Sequence, residues 1–230
     1  MAPVTRRTAT VDVRNQPAYT LAEAARYLKL PEGTLRYWVQ GRIRGAGRSS
    51  PLIHPPARQP PTLSFWNLVE AHVLRALRTD HGVSLPALRT AINYAQKSQG
   101  IDRLLLSREL KTGAGQVFLE RYGQLINLSA SGQLAMEKLF QDHLRRVEWD
   151  DTRFPVRLYP YLRAEGAESP KPIVIQAEIA FGRPVVQRVG VSTGTIADRI
   201  DAGESVPDLA ADYGLTESEI LEAVLYERAA

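Results

Sequence analysis

The sequence predicts a mainly α-helical chain with small β elements, an α+β fold. It places a winged helix-turn-helix at the N-terminus, a mixed layer in the middle and a three-helix, helix-turn-helix-like domain at the C-terminus. Three observations carry this. Apolar residues recur at helical spacing over 21–28, 65–79 and 84–99. Ser or Thr stands before most of these runs, twice with Glu three residues on (Thr20 with Glu23, Thr216 with Glu219), which is the signature of a capping box. The remaining apolar runs are short and bounded by Gly and Pro, as strands and turns are.

Residues 1–17 lack periodicity and carry Arg6, Arg7 and Arg14. They read as a flexible basic arm suited to phosphate contacts, a composition shared by a plain disordered leader. Thr20 then caps a first helix with Leu21, Ala24, Ala25 and Leu28 on one face, ending near Lys29. Pro31 opens a second, in which Leu35, Trp38 and Val39 point inward while Gly33, Tyr37 and Gln40 point out, flanked by Thr34 and Arg36. That outer face is a candidate DNA-recognition surface, although an ordinary helical hairpin facing water has the same spacing.

Residues 41–64 hold Gly41, Gly45, Gly47, Ser49, Ser50 and five prolines, with 52–54 and 62–65 as short strand candidates. Arg42, Arg44, Arg48 and Arg58 are interleaved with them, which favours a basic wing with a Pro-rich tip over a linker. Residues 65–79 form an amphipathic helix with His72 on its apolar face, most simply a core histidine, and His81-Gly82 closes it. Ser84 caps another helix through Gln99.

From 101 to 163 the pattern is mixed. Residues 116–120 and 125–128 flank Tyr122-Gly123 and predict a hairpin; 133–145 predicts a helix; 146–149 and 156–159 predict a strand pair. Residues 164–172 are polar and turn-rich, a linker. After Ile173-Val174-Ile175 come three short helices, capped by Ser192 or Thr193, by Ser205 and by Thr216, with Gly203 and Gly214 stopping the first two. The domain plan is therefore an arm (1–17), a DNA-binding domain (18–100), a middle or dimerisation region (101–163), a linker (164–172) and a C-terminal helical domain (173–230).

At 230 residues with 44% hydrophobic and 23% charged side chains, the chain has the composition of an ordinary globular protein. No apolar run approaches the roughly 18 residues of a membrane span, and the first residues lack the apolar stretch of a signal peptide, so the cytoplasm is the expected location. The absence of cysteine excludes disulfides and thiolate metal sites. Net charge is only +4 but is split: residues 1–60 carry ten Arg or Lys against three acids, and residues 190–230 two Arg against nine acids. The first end suits phosphates; the last would be repelled by them.

Catalytic chemistry is not expected. The four histidines (His54, His72, His81, His143) are scattered with no metal-binding spacing, so no metal or cofactor is called for. Residues 190–195 have glycines like those of a phosphate loop but no following lysine, and read better as a helix cap. Asp150-Asp151 and the pair Asp198, Asp201 read as solvent-facing acids rather than a magnesium site.

Two resemblances add to this. Leu21-Ala22-Glu23-Ala24-Ala25, followed by Thr34-Leu35-Arg36-Tyr37-Trp38 and then Gly41 and Arg42, Arg44 and Arg48, resembles a MerR-type winged helix-turn-helix over about residues 18–95, most specifically in its first half. The resemblance implies binding of double-stranded DNA through Thr20, Gly33, Thr34, Arg36, Tyr37, Gln40, Arg42, Arg44, Arg48 and Arg58, and implies a homodimer. Gly182-Arg183-Pro184-Val185-Val186, then 201–206 and 209–220, resembles the small domain of VapB-type antitoxins paired with PIN-domain (VapC-like) toxins, over about 173–228. Here Gln187-Arg188-Val189-Gly190-Val191 replaces the family's glycine-threonine-arginine run.

Together these imply an antitoxin that binds its own operator and silences a ribonuclease toxin of PIN fold. Asp208, Asp212, Glu217 and Glu219 would cover the toxin's basic surface, or Arg153, Arg157 and Arg163 would enter among its metal-binding acids. The alternative is a stand-alone MerR-like regulator whose Phe118, Tyr122, Trp149 and Tyr159 line an effector pocket, although aromatics at such spacing are more often core. Deletion of residues 173–230 is expected to spare DNA binding by the isolated head; loss of binding would mean that the tail builds the dimer, which the sequence leaves open.

Overall fold

The computed structural model describes residues 12–44, 47–79, 84–127, 129–160 and 171–229. It is mainly helical, with four small antiparallel sheets among the described residues. Two helices at the start form the expected pair: α1 (Leu21–Tyr27) and α2 (Glu32–Gln40). The Thr20 hydroxyl accepts the Glu23 amide at 3.2 Å, and the Glu23 carboxylate accepts the Thr20 amide at 2.9 Å. This closed capping box satisfies two amide donors that a helix start otherwise leaves orphaned. Leu21, Ala24, Ala25 and Tyr27 of α1 are buried against Leu35, Trp38 and Val39 of α2, the face that the spacing required.

The wing differs from expectation. Its strands are β1 (Arg42–Arg44) and β2 (Gly47–Ser49), paired with Arg42 opposite Ser49 and Ile43 opposite Arg48. Residues 52–54 are not a strand. The amides of Leu52 and Ile53 both donate to the Trp38 carbonyl, at 2.8 and 3.1 Å, and so satisfy an acceptor near the end of α2 instead of entering a ladder. The proline-rich stretch makes its own two-residue hairpin, β3 (Ala57–Arg58) with β4 (Pro61–Thr62). Leu63 then exchanges backbone hydrogen bonds with Tyr19, which ties the entrance of α1 to the end of this loop.

Helix α3 (Phe65–Thr79) is the hub. Ser64, Asn67, Glu70 and His72 are buried together with Phe65, Leu68, Val69, Ala71, Val73, Leu74, Ala76 and Leu77, so all sides of the helix are covered, not the single face its periodicity suggested. It meets the turn at 13–15, the turn at 104–106, the next-but-two helix and the middle sheet. Helix α4 (Leu85–Gln99) starts on the Ser84 cap and stops at Gly100 in the left-handed conformation. The proposed stop at His81-Gly82 and the linker at 164–170 lie outside the described residues, as do residues 1–11 of the arm. The described end of that arm is packed: Arg14 pairs with Asp12 at 2.6 Å and with Asp150 at 2.5 Å.

The hairpin expected around Tyr122-Gly123 is instead helix α5 (Gly113–Leu125). Its buried residues are Ala114, Gly115, Phe118, Leu119, Tyr122 and Gly123, a 3.6-residue period that the local apolar runs 117–119 and 125–126 disguised. Gly115 permits the fold of this helix onto the preceding turn, since a Cβ there would stand 1.9 Å from the Leu110 carbonyl oxygen. Helix α6 (Ala130–Leu144) buries Met136, Phe140 and Leu144 against it. Strands β5 (Val147–Trp149) and β6 (Pro155–Leu158) pair as expected, with an irregularity at Glu148/Trp149.

The C-terminal part joins this layer through Leu158 and Ile175, whose backbones exchange hydrogen bonds of 3.0 and 2.8 Å. Strands β7 (Ile173–Val174) and β8 (Val185–Val186) pair, and α7 (Thr193–Asp201), α8 (Val206–Tyr213) and α9 (Glu217–Arg228) follow. Their core is Val186, Ile196, Leu209, Ala210, Leu215, Ile220, Ala223 and Val224, distinct from the main core that runs from Tyr19 to Ile175. Ser205 and Thr216 cap α8 and α9 as predicted. Ser192 stands at the cap of α7 without a capping hydrogen bond, while the Thr193 hydroxyl reaches the Glu227 carboxylate.

Candidate nucleic-acid interface

Burial of Leu35, Trp38 and Val39 forces the rest of α2 outward. Gly33, Arg36 and Gln40 are exposed, and Thr34 and Tyr37 are half-buried beside them. Gly33, Thr34, Arg36, Tyr37, Gln40 and Gly41 line one open depression together with Arg78, which reaches over from the last turn of α3. Arg78 donates to the Thr34 hydroxyl at 3.2 Å. A second, larger depression shares Gln40 and Gly41 with the first and extends along His54, Arg58, Gln59 and Pro60. Arg58 is therefore continuous with the outer face of α2, although it lies eighteen positions beyond Gln40.

Two features shape the charge of this surface. Arg36 forms an ion pair with Glu32 one turn earlier on the same exposed face, so its guanidinium is partly neutralised before any ligand arrives. Arg89, on α4, donates to the Ser50 carbonyl at 2.6 Å and so fixes the base of the β1–β2 hairpin. Gly41 is the joint between helix and hairpin. Its φ of +73° is a conformation that favours glycine, and a Cβ there would stand 2.0 Å from the Ser49 carbonyl oxygen.

Of the residues named from sequence, Gly33, Thr34, Arg36, Tyr37, Gln40 and Arg58 are brought together. Thr20 is not among them, because its hydroxyl is engaged in the capping box at the start of α1. Arg42, Arg44 and Arg48 are carried on the β1–β2 hairpin directly after Gly41, where the structure describes their backbone only. Arg78 was missed. Its signal was an Arg-x-x-Arg step at 75 and 78 near the end of α3, beyond the basic stretch counted over 1–60. Arg75 has a different task, donating to the Leu28 carbonyl in the turn between α1 and α2.

The residues named for a protein partner are mostly engaged within the chain. Arg153 pairs with Glu109, and Arg157 bonds Glu148 and Gln176, each at 3.1 Å; Arg163 lies outside the described residues. Asp208 accepts from the Ser205 hydroxyl at 2.6 Å and Asp212 from Arg199 at 2.7 Å. Glu219 binds Arg188 at 2.8 and 3.0 Å while closing its capping box, and these bonds hold its carboxyl down at about 2. Arg188 belongs to the run that departs from the antitoxin pattern, and it also donates to the Gly214 carbonyl, bracing the α8–α9 turn. Glu217 is exposed in the first turn of α9.

The aromatic set proposed for an effector pocket packs as core instead. Phe118, Tyr122 and Tyr159 are buried, with Phe118 stacked on Tyr122 and tilted against Phe140. Trp149 is half-buried and donates through Nε1 to the Leu106 carbonyl at 3.0 Å. Among the described residues no three His, Cys, Asp or Glu side chains are placed to hold a metal ion. No described helix is long and apolar enough to cross a membrane.

Comparison with known proteins fits this geometry. Residues 17–92 match a family model described as "Putative DNA-binding HTH domain", and residues 173–226 match a family described as a protein of unknown function, DUF433. The chain is 29% identical to the Mycobacterium tuberculosis protein named "Putative antitoxin VapB45", over 90% of this chain and 92% of that protein. It is 26% identical to the uncharacterized protein Rv2308 of the same organism, over 93% of this chain and 91% of that one. The crystal structure of Rv2018 from M. tuberculosis shares the fold, with a TM-score of 0.68 at 24% identity, covering 91% of this chain and 98% of that one.

Proposed function

We propose that this chain is the antitoxin of a type II toxin–antitoxin pair that represses its own operon, and that its protein partner is a ribonuclease of PIN fold. The observation that carries the DNA half is the continuous surface from Arg78 through the outer face of α2 to Arg58, with the arginine-bearing hairpin beside it. A helix of that exposure with flanking cations suits a major groove, where side chains read base edges while arginines hold phosphates. The MerR-like geometry of helix pair followed by hairpin belongs to this reading, as does a homodimer binding two half-sites. The toxin half rests on similarity, along nine-tenths of the chain, to a protein named as an antitoxin. Such a chain is a regulator, not an enzyme. The alternative, a small-molecule sensor, loses the pocket assigned to it, because three of its four aromatics are core.

The test is co-expression with the product of the adjacent reading frame. Co-purification and relief of growth arrest support the pairing. Growth arrest that persists with both chains expressed and folded overturns it. A shift of a duplex from the chain's own upstream region, abolished by Arg36→Ala with Tyr37→Ala, supports the DNA half; an unchanged shift overturns it.

A further inference from the structure

Helix α1 ends on carbonyls that its own backbone cannot satisfy, and the C-terminal domain supplies a donor for one of them. The Tyr226 hydroxyl, from α9, donates to the Tyr27 carbonyl at 2.7 Å in a fully buried contact between residues 199 apart in sequence. The next carbonyl, that of Leu28, takes Arg75 from α3. The Lys29 ammonium, in the turn that joins α1 to α2, sits 4.1 Å from the centre of the Tyr226 ring without a hydrogen-bond partner. Lys29 itself has φ +52°, a left-handed conformation that a lysine holds only against a cost.

A second clasp lies at the other end of α1. The Tyr19 hydroxyl donates to the Gly182 carbonyl at 3.0 Å, and a Cβ on residue 182 would stand 2.0 Å from that hydroxyl. Tyr19 and Tyr27 meet edge to face, so the two clasps share one aromatic pair.

We infer that Tyr226, with the Tyr19–Gly182 contact behind it, is a positioning residue for DNA recognition: the C-terminal domain sets the turn that aims α2. This rests on the reading of α2 as the recognition helix. Without the Tyr226 hydroxyl, the Tyr27 carbonyl is a buried acceptor without this donor, and the left-handed Lys29 turn loses one of its constraints. A recognition helix tilted by a loosened turn loses base contacts, while phosphate contacts made by flexible arginines tolerate the change. Tyr226 therefore controls specificity more than affinity.

The experiment uses the full-length chain, two fluorescent duplexes (its own upstream region and a scrambled one of equal length) at fixed salt, and amide hydrogen exchange. Tyr226→Phe keeps the ring over Lys29 and removes only the donor. It should weaken the upstream duplex about tenfold, the scale of one hydrogen bond, leave the scrambled duplex and the salt dependence unchanged, and speed exchange at Lys29 and Leu30. Tyr19→Phe, tested separately in case the first variant misfolds, should act in the same direction. Equal loss on both duplexes, or no loss on either, overturns the positioning role. Wild-type protein that does not distinguish the duplexes, or Arg36→Ala that binds like wild type, overturns the DNA reading itself and the proposal with it.

Discussion

Arg78 and Thr34 are joined across 3.2 Å, so the end of α3 is stitched to the outer face of α2, the face proposed to meet DNA. The bond is exposed and contributes little to stability. Its consequence is placement: a guanidinium with five donors keeps several free for a phosphate while one holds Thr34. Arg78→Ala should weaken binding to every duplex and lower the salt slope by about one unit, with the melting temperature unchanged. Arg36→Ala and Tyr37→Ala should each cost about 1–3 kcal/mol on the upstream duplex alone. Fluorescence titrations at several salt concentrations separate the two patterns, and identical salt slopes for wild type and Arg78→Ala would remove Arg78 from the interface.

On the proposed DNA reading, Glu32 would compete with DNA for Arg36, with which it forms an ion pair. The two pair one turn apart on an exposed face, where such a pair is worth only about 0.3–0.5 kcal/mol, so freeing the arginine costs the fold almost nothing. Glu32→Gln also removes a negative charge from beside the phosphates. The variant should bind both duplexes more tightly than wild type. A weaker complex would mean that Glu32 orients Arg36 toward a base, as a carboxylate sometimes does, and the sign of the change decides between the roles.

Gly41 has no room for a side chain. An alanine there combines φ +73° with a Cβ 2.0 Å from the Ser49 carbonyl oxygen, so the β1–β2 hairpin must move. The expected cost is about 1–3 kcal/mol of stability from strain, together with loss of the hairpin's contribution to binding on all sequences. Gly100→Ala is the control, since its φ is also positive but nothing stands within 4 Å of its Cβ. It should destabilise without touching DNA affinity. Urea denaturation and duplex titration of both variants settle the contrast, and equal DNA binding by Gly41→Ala and wild type would detach the hairpin from the interface.

What could be read in advance follows the range of the interactions. Thr20 with Glu23, Ser84, Ser205 and Thr216 act within one helical turn, and their helices start where the residues said. The inward set Leu35, Trp38 and Val39 was legible for the same reason. The α5 region was misread because Val117-Phe118-Leu119 and Leu125-Ile126 are contiguous apolar runs whose helical phase appears only over 114–123. The wing strands were misplaced because the bonds from Leu52 and Ile53 to Trp38 depend on where α2 ends in space. Tyr226 on Tyr27 and Tyr19 on Gly182 leave no trace in local spacing at all. These bonds argue against the expectation that deleting residues 173–230 spares DNA binding: deletion strips the donor from the Tyr27 carbonyl and the Gly182 acceptor from the Tyr19 hydroxyl. The truncated chain should bind its upstream duplex more weakly than the full chain, and a gel shift of equal strength would restore that expectation.

His72 is the core histidine that its place on an apolar face predicts, and its burial gives the fold an acid limit. It lies at 1% exposure on α3, with Nε2–H donating to the His143 carbonyl at 3.2 Å. Burial first, then the nearby charges of His143, Arg75 and Arg146, push its pKa down from 6.5 to about 3. The folded chain therefore binds fewer protons than the unfolded chain between those two values. Stability from a neutral His72 is fully present above about pH 6.5 and is lost as pH falls toward 3, at about 1.4 kcal/mol per unit. Carboxylates that titrate in the same range also destabilise, so the variant His72→Gln isolates the effect by keeping an amide donor and removing the titration. Urea midpoints at pH 7.5, 6.5, 5.5 and 4.5 should converge between the two proteins as pH falls, because the wild type alone pays for keeping the ring neutral. Parallel curves would mean that the ring gains a proton in place, stabilised by a partner on α6, and that the buried imidazole sets no acid limit.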